Sequence, residues 1–408
     1  MTAVGIVGGA IAGCTVAAEL TRAGFDVTVF EQSRSDLRDR GAGIAIPIPT
    51  FESLIERDLI DADMPHTQAT KHWLIGKSGD ARFGHVALTL PLSLTPFKWG
   101  DLFENLRQRV PDAAYRRGAE VASVRNVEGG ALLTLDDGSE HRFDLVILAD
   151  GYDSPGRGQV LPEVELDYRG YVLWRGLLPE SELAEPDALD DALPRLSLPE
   201  LHGNAVFYYV PGPRGAGKGN RLVNWACYIP LPTDDLAAFL VDRNGRQHES
   251  SLPPGGMRLE EEARLKQLVT PHLPPFYAEI CAATPDTFAQ PIYTTVLPAY
   301  HRGRICVAGD AGAVVPPFSA SGVFKAANNS IGLAAALASD SDIDRAIHEW
   351  SRTETESSRR LTALGRQMER AFVWEAPDLA AMDADQARHW WDESITFPDD
   401  FTYIAEED

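Results

Sequence analysis

The sequence is poor in cysteine, and the four it has are scattered. Cys14, Cys227, Cys281 and Cys306 form no CxxC pair. This excludes a disulfide framework or a zinc ribbon and fits reduced, structural thiols. The closest two histidines, His66 and His72, are six residues apart. No helix can therefore offer a histidine pair at i,i+3 or i,i+4, and no metal is expected. No apolar run approaches the roughly 20 residues of a bilayer span, so no membrane association is expected. Basic residues are also scarce: 37 Lys and Arg stand against 60 Asp and Glu, a formal net charge of −23. That balance argues against a nucleic-acid partner or an anionic membrane surface. The N-terminus has no basic segment ahead of its apolar residues, so no signal peptide is expected and a cytoplasmic location is. Internal repeats and a GxSxG hydrolase elbow are absent as well.

What is present begins at Ala3–Glu31, AVGIVGGAIAGCTVAAELTRAGFDVTVFE. A short apolar strand stops at Gly8. An alanine-rich, proline-free helix follows over 10–23, ended by Gly24 as a left-handed C′ residue. Phe25–Phe30 reads as a second strand with Glu31 at its end. This is a βαβ opening in the dinucleotide-binding register. Gly8 makes a turn that no Cβ allows, and Gly13 lets helix pack on strand. Ala10 stands where the pattern has its second glycine, and a methyl there crowds a phosphate slightly. The amides that open the helix, around Ala10 and Ile11, can face a pyrophosphate. Glu31 can accept from both hydroxyls of an adenosine ribose. The alternative is an ordinary βαβ unit whose glycines only turn the chain.

Further along, Arg40 precedes Gly41-Ala42-Gly43, where a cofactor stretched along the sheet edge could be reached. A solvated loop arginine is the alternative. Helical spacing is predicted over 51–59, 99–110, 259–269, 276–283 and 322–338. Strand-like runs alternate with a proline-bounded loop, PLSLTP, before Trp99. A meander over 121–143 leads into a continuous buried strand, Phe143–Ala149, that ends in Asp150-Gly151. Aromatic strands YVLWRGLL, AVFYYV and RLVNWACYI dominate 168–229. Strand 304–309 returns to the first domain, and charged helical sequence from Asp342 ends in an acidic tail. GPRGAGKG (212–219) nearly spells a phosphate-binding P-loop. It lacks the Ser or Thr after Lys218 and a following helix, so it reads as a hairpin loop. Trp225-Ala226-Cys227-Tyr228-Ile229-Pro230 comes close to the WxWxIP signature of flavin halogenases, with Cys227 replacing the second tryptophan.

Two later stretches join the N-terminal fingerprint. Asp150–Arg157 matches DGxxSxxR. Gly309-Asp310-Ala311, with Pro316-Pro317 and Gly322, matches GDAxxxxPPxxxxG. In this order and spacing, residues 3 to about 340 resemble the class A flavoprotein monooxygenases, the para-hydroxybenzoate hydroxylase fold. Tyr168–Leu177, Tyr208–Gly212 and Ala320–Lys325 resemble the 2,6-dihydroxypyridine hydroxylase branch, with Lys325 shared. Asn328-Asn329 departs from acids in that branch. The resemblance implies an α/β fold in three parts. A discontinuous Rossmann-like FAD-binding domain takes 1–68, 102–165 and 290–340. A β-sheet-rich substrate domain takes 69–101 and 166–289. A C-terminal helical segment with an acidic tail takes 341–408.

The resemblance also implies roles. Asp310 accepts a ribityl hydroxyl, and Pro316-Pro317 turns carbonyls toward the flavin ring. Gly322 and Val323 open a helix whose amides approach the flavin pyrimidine oxygen. Asp150 contacts FAD and the incoming nicotinamide nucleotide, and Arg107 reaches the flavin. NADH, or NADPH, reduces FAD, and dioxygen gives a C4a-hydroperoxide that an electron-rich ring attacks. The expected function is hydroxylation of an N-heteroaromatic or phenolic small molecule that already carries a hydroxyl, by a homodimer. Tailoring monooxygenases or epoxidases, halogenases and reductases of the same fold are the alternatives. Tyr208, with His202 and Tyr228 behind it, is expected to touch substrate. A hydroxypyridine is expected ahead of a benzoate, because the pocket strands offer aromatic and apolar residues. Arg175 is their only inner cation, and in the resembled branch that arginine lies outside the ring site.

Overall fold

The structure, a computed structural model, describes residues 1–38 and 42–396. Ala3–Val7 lies inside a six-stranded sheet ordered His301–Arg302, Ile305–Val307, Leu145–Leu148, Ala3–Val7, Asp26–Glu31, Tyr115–Arg117. Its neighbours pair in parallel, and only the His301–Arg302 edge is antiparallel. Val4, Ile6 and all of Leu145–Leu148 are buried, as a parallel sheet covered on both faces requires. Asp26–Glu31 lies on one side of Ala3–Val7 and Leu145–Leu148 on the other. The end of Ala3–Val7, where Gly8 follows, is thus a topological switch point, the place where open α/β sheets bind ligands.

Two helices with small residues, Ile11–Arg22 and Ser321–Ser339, pack together there. Ser330 Oγ donates to the Ala12 carbonyl at 3.2 Å, an approach that a bulkier face would prevent.

An eight-stranded sheet carries the aromatic strands, in the order Phe288–Thr294, Asp167–Pro179, Leu222–Pro230, Gly203–Val210, Ala192–Leu198, Ala69–Gly76, His85–Lys98, Gly43–Pro47. One face buries Trp174, Phe207 and Trp225 against Pro275–Ala283 and Leu259–Val269. The other face packs Leu74, Leu88, Tyr208 and Tyr228 with Phe318. It also meets Leu364, Met368, Phe372 and Trp391, from Ile343–Glu369 and the segments after it. The C-terminal segment is therefore core to the aromatic sheet.

Two local expectations change. Pro91 and Pro96 lie within the His85–Lys98 strand instead of bounding a loop. A register shift between Ala69 and Lys71 accommodates Pro91, which has no N–H to give a ladder. The continuous run over 143–149 is broken at Asp144, whose carboxylate accepts from Ala3 N at 2.8 Å. Glu140–Phe143 closes a three-stranded meander, and Leu145–Leu148 enters the parallel sheet. The glycine-rich 212–219 stretch is a hairpin connection, and Lys218 pairs with Asp187 and Asp190. The acidic tail beyond 396 lies outside the described residues. Among the described residues, no helix is long and apolar enough to cross a membrane.

Candidate active site between the two sheets

The dinucleotide side is built from backbone. Gly8 has φ +94°, and a Cβ there would lie 2.3 Å from the Ala149 carbonyl oxygen. A Cβ on Gly13 would meet the Gly8 carbonyl oxygen at 1.9 Å. Both glycines are therefore required by close approach, as the fingerprint demands. Glu31 is buried and braces the loop, accepting from Gly9 N and Ser33 N at 2.8 Å each. A carboxylate offers about four acceptor positions, so capacity for a ribose remains. Tyr115 donates to the Gly9 carbonyl at 2.8 Å. Arg107 lies 4.2 Å over the Tyr115 ring and donates to Val110 O and Asp112. That places Arg107 beside the glycine loop, and it is not among the residues lining the cavity described below. Cys14, beneath the loop, has its thiol pushed up to about 12 by burial and stays protonated.

The Asp150–Arg157 stretch makes its own scaffold. Asp150 accepts from Ser154 Oγ at 2.6 Å and from Gly156 N at 3.3 Å. Burial raises its carboxyl above the ordinary range, and the Ser154 hydroxyl opposes that rise. Arg157 donates to Tyr152 O at 2.7 Å and Ala311 O at 3.2 Å, tying this stretch to the Gly309-Asp310-Ala311 motif. Asp310 is half-exposed and pairs at 2.9 Å with Lys325, which is buried and also bonds the Ala313 carbonyl. Asn329, where the resembled branch has an acid, accepts from Gly309 N at 3.2 Å and donates to the Glu354 carboxylate. An acid at 329 would face Glu354, whose carboxyl is already raised by burial. The amide suits both partners.

These motifs open onto one cavity of about 450 Å³ between the sheets. Ala10, Ile11, Asp310, Pro317, Gly322 and Val323 line its nucleotide side. Ala320, at φ +53°, turns the chain into the Ser321–Ser339 helix. A Cβ on Gly322 would meet nothing within 4 Å, so that amide edge is open to a ligand. The facing wall is the aromatic sheet, with Tyr208 and Tyr228 prominent. Tyr208 OH donates to Gly43 O at 3.3 Å, and Tyr228 packs against Phe318 with ring centroids 4.4 Å apart. An open backbone cradle, helix-terminal amides and Asp310 fit a flavin dinucleotide lying along this edge.

Other expected residues fall elsewhere. His202 is not a cavity residue: it has left-handed backbone at the turn into Gly203–Val210, and its Nδ1 lies 3.3 Å from Trp374 O. Alternation along the strand was no guide there, because the turn takes His202 out of the ladder. Arg40 lies outside the described residues. The expected shortage of inner cations is also corrected, since Arg175 and Arg195 both line the cavity. Arg175 donates to Gly43 O at 2.5 Å and Asn224 Oδ1 at 3.1 Å. Arg195 escaped notice because LPRLSLP reads as a proline-broken stretch, yet it forms the fully buried strand Ala192–Leu198. Trp225 of the near-halogenase motif faces away from the cavity, donating to Thr284 at 2.9 Å in the opposite core.

Known proteins resemble this chain in sequence and in fold. Residues 168–294 match the "FAD binding domain-like" family, and 6–35 match an NAD(P)-binding Rossmann-like domain. The chain is 25% identical over 360 residues to 2,6-dihydroxypyridine 3-monooxygenase of Paenarthrobacter nicotinovorans, covering 85% of each chain. It is 26% identical over 373 residues to 6-hydroxynicotinate 3-monooxygenase of Pseudomonas fluorescens, covering 87% of this chain and 88% of that one. The solved 2,6-dihydroxypyridine-3-hydroxylase from Arthrobacter nicotinovorans superposes with a TM-score of 0.84 at 21% identity, covering 92% of this chain and 94% of that one. Its relatives and structural neighbours are class A FAD-dependent monooxygenases. The chain takes FAD as cofactor and NAD(P)H as reductant, and it is an aromatic-ring hydroxylase. Bound FAD supplies electron transfer to dioxygen and delivery of one oxygen atom to the ring. The Gly8–Gly13 loop, braced by Glu31, would hold the dinucleotide, and the two sheets meet across the cavity beside it.

Proposed function

We propose that this monooxygenase hydroxylates a small, hydroxylated, electron-rich ring, with an N-heteroaromatic such as a hydroxypyridine ahead of a plain phenol. One observation carries the reading: a single cavity is lined on one side by the flavin-motif residues and on the other by Tyr208 and Tyr228. The relatives named for dihydroxypyridine and hydroxynicotinate support the ring class. Tyr208 and Tyr228 are proposed as substrate contacts. Ala10, Ile11, Gly13, Glu31, Asp150, Asp310, Pro317, Gly322 and Val323 are proposed as the FAD set. Arg107 supports the glycine loop at the same end. NADH is the proposed reductant, a homodimer the proposed assembly and the cytoplasm the proposed location. The four cysteines, all free and buried, fit a reducing compartment.

The test is to purify the protein, identify the released flavin, and follow NADH oxidation with hydroxypyridines, hydroxyquinolines, salicylate and 4-hydroxybenzoate added separately. Ring-stimulated oxidation coupled to hydroxylated product, strongest with an N-heteroaromatic, is expected. NADH oxidation that no ring accelerates would overturn the reading.

A further inference from the structure

We propose that Arg195 is the anion anchor of the ring site, and that the substrate carries a carboxylate in addition to its ring hydroxyl. This rests on the aromatic-hydroxylase reading and names the substrate class of the same cavity. The sheet register sets the frame. Arg175 pairs with Ala226, Ala226 with Val206, and Val206 with Arg195. The four residues form one row across four strands, so the two arginine backbones stand three strand spacings apart, about 14 Å. Between them the floor has only the short side chains of Ala226 and Val206. Tyr208, two residues along from Val206, and Tyr228, two along from Ala226, rise on either side of that row. The result is a slot for a flat ring with a cation at each end.

The two cations are not equally engaged. Arg175 is held by the Gly43 carbonyl and Asn224. Arg195, 5% exposed, makes one hydrogen bond among the described residues, from Nη1 to Asn204 Oδ1 at 2.9 Å. Its Nε, like that of Arg175, is buried without a partner among the described residues. Its other neighbours are the ring faces of Phe372 at 4.2 Å and Phe318 at 5.9 Å, together with His72. Among the described residues no carboxylate pairs with it. The buried Arg221, by contrast, pairs with Glu180 and Asp190, and Arg169 pairs with the buried Glu369.

A desolvated guanidinium without a counter-charge is costly unless something supplies one. Among the described residues lining the cavity, the one acid, Asp310, is already neutralised by Lys325. In a chain of net charge −23, this cavity is locally cationic. A planar carboxylate matches the planar fork of the guanidinium, and a neutral ring would leave the charge uncompensated.

The experiment uses the FAD-loaded enzyme and matched pairs: 6-hydroxynicotinate with 6-hydroxynicotinamide, salicylate with salicylamide, and 4-hydroxybenzoate with 4-hydroxybenzamide. Flavin absorbance changes give Kd, and NADH oxidation with product analysis gives turnover. At least one carboxylate is expected to bind roughly 10- to 100-fold tighter than its amide, the range of a charge-assisted hydrogen bond. Arg195→Gln should erase that preference without loss of bound FAD, and Arg195→Lys should restore part of it. Equal affinity for acid and amide in every pair, or equal weakening of both by Arg195→Gln, would overturn the anchor. The unsubstituted enzyme's pairwise preference decides the matter if the variants do not fold. Rings that stimulate turnover without regard to the carboxylate would remove the anchor and leave the hydroxylase. If no ring stimulates turnover, the hydroxylase reading itself fails.

Discussion

Asp150 and Asp310 close adjoining strand ends but serve different neighbours. Asp150 is spent on Ser154 and Gly156 within its own turn, whereas Asp310 is half-exposed at the cavity and neutralises buried Lys325. Asp310→Ala should therefore lose an acceptor for the cofactor and leave Lys325 without its carboxylate, weakening FAD retention by about 1.5–3 kcal/mol. Asp150→Ala should keep FAD and slow its reduction by NADH. Flavin retention on gel filtration, with stopped-flow reduction, checks both, and equal FAD loss in the two variants contradicts the distinction. His72 carries a pH consequence. Burial first, then the Arg195 charge, holds its imidazole well below the ordinary range, so the folded chain keeps it neutral. Below about pH 6.5 the unfolded chain takes up a proton that the folded chain refuses, and stability falls as pH falls. Urea midpoints between pH 7.5 and 5.5 should drop in the unsubstituted protein, by up to about 1.4 kcal/mol per pH unit from this group. His72→Leu should lack that component, and an unchanged slope would contradict the assignment. Residues whose role is to leave room were legible in the sequence. Gly8 and Gly13 announce a backbone requirement by their side chains' absence. Arg195 was not legible, because an arginine in LPRLSLP carries no mark of the register that turns it inward.

At the scale of elements, the βαβ opening, the Leu259–Val269 helix and the small-residue helix after Ala320 follow from periodicity and punctuation. The strand through Pro91 and Pro96 did not, since proline normally ends a ladder and only the nearby register shift admits it. Gly13 sits where the first helix crosses its strand. A valine there would press on the Gly8 carbonyl, so Gly13→Val should separate helix from strand and yield colourless protein, read directly from its absorbance. Retained flavin would contradict the cradle. The C-terminal segment carried little sequence resemblance, yet its Trp391 packs against Phe372 and His72 in the core that backs the cavity. Trp391→Ala should destabilise the protein by about 3–5 kcal/mol in chemical denaturation, as for other buried aromatic truncations. A change under about 1 kcal/mol would show that this segment is not part of the core. Its contribution was hidden because a charged amphipathic helix shows which face it buries, but not against what.

For the whole molecule, two sheets contribute opposite walls to one cavity, and neither wall alone defines a chemistry. The nucleotide wall was legible as motifs, because cofactor geometry fixes spacing along the chain. The ring wall was legible only as aromatic strands, because its selectivity lies in cross-strand neighbours distant in sequence, such as Arg195 and Val206. The central claim is that the joined walls direct one atom of dioxygen into an aromatic ring at the expense of NAD(P)H. It is tested most directly by turnover under ¹⁸O₂ with the best ring from the matched pairs. Mass spectrometry of the product is predicted to show one ¹⁸O atom in a new ring hydroxyl, with one NADH consumed per product. Product oxygen derived from water, or peroxide as the sole product with every ring, would contradict the account.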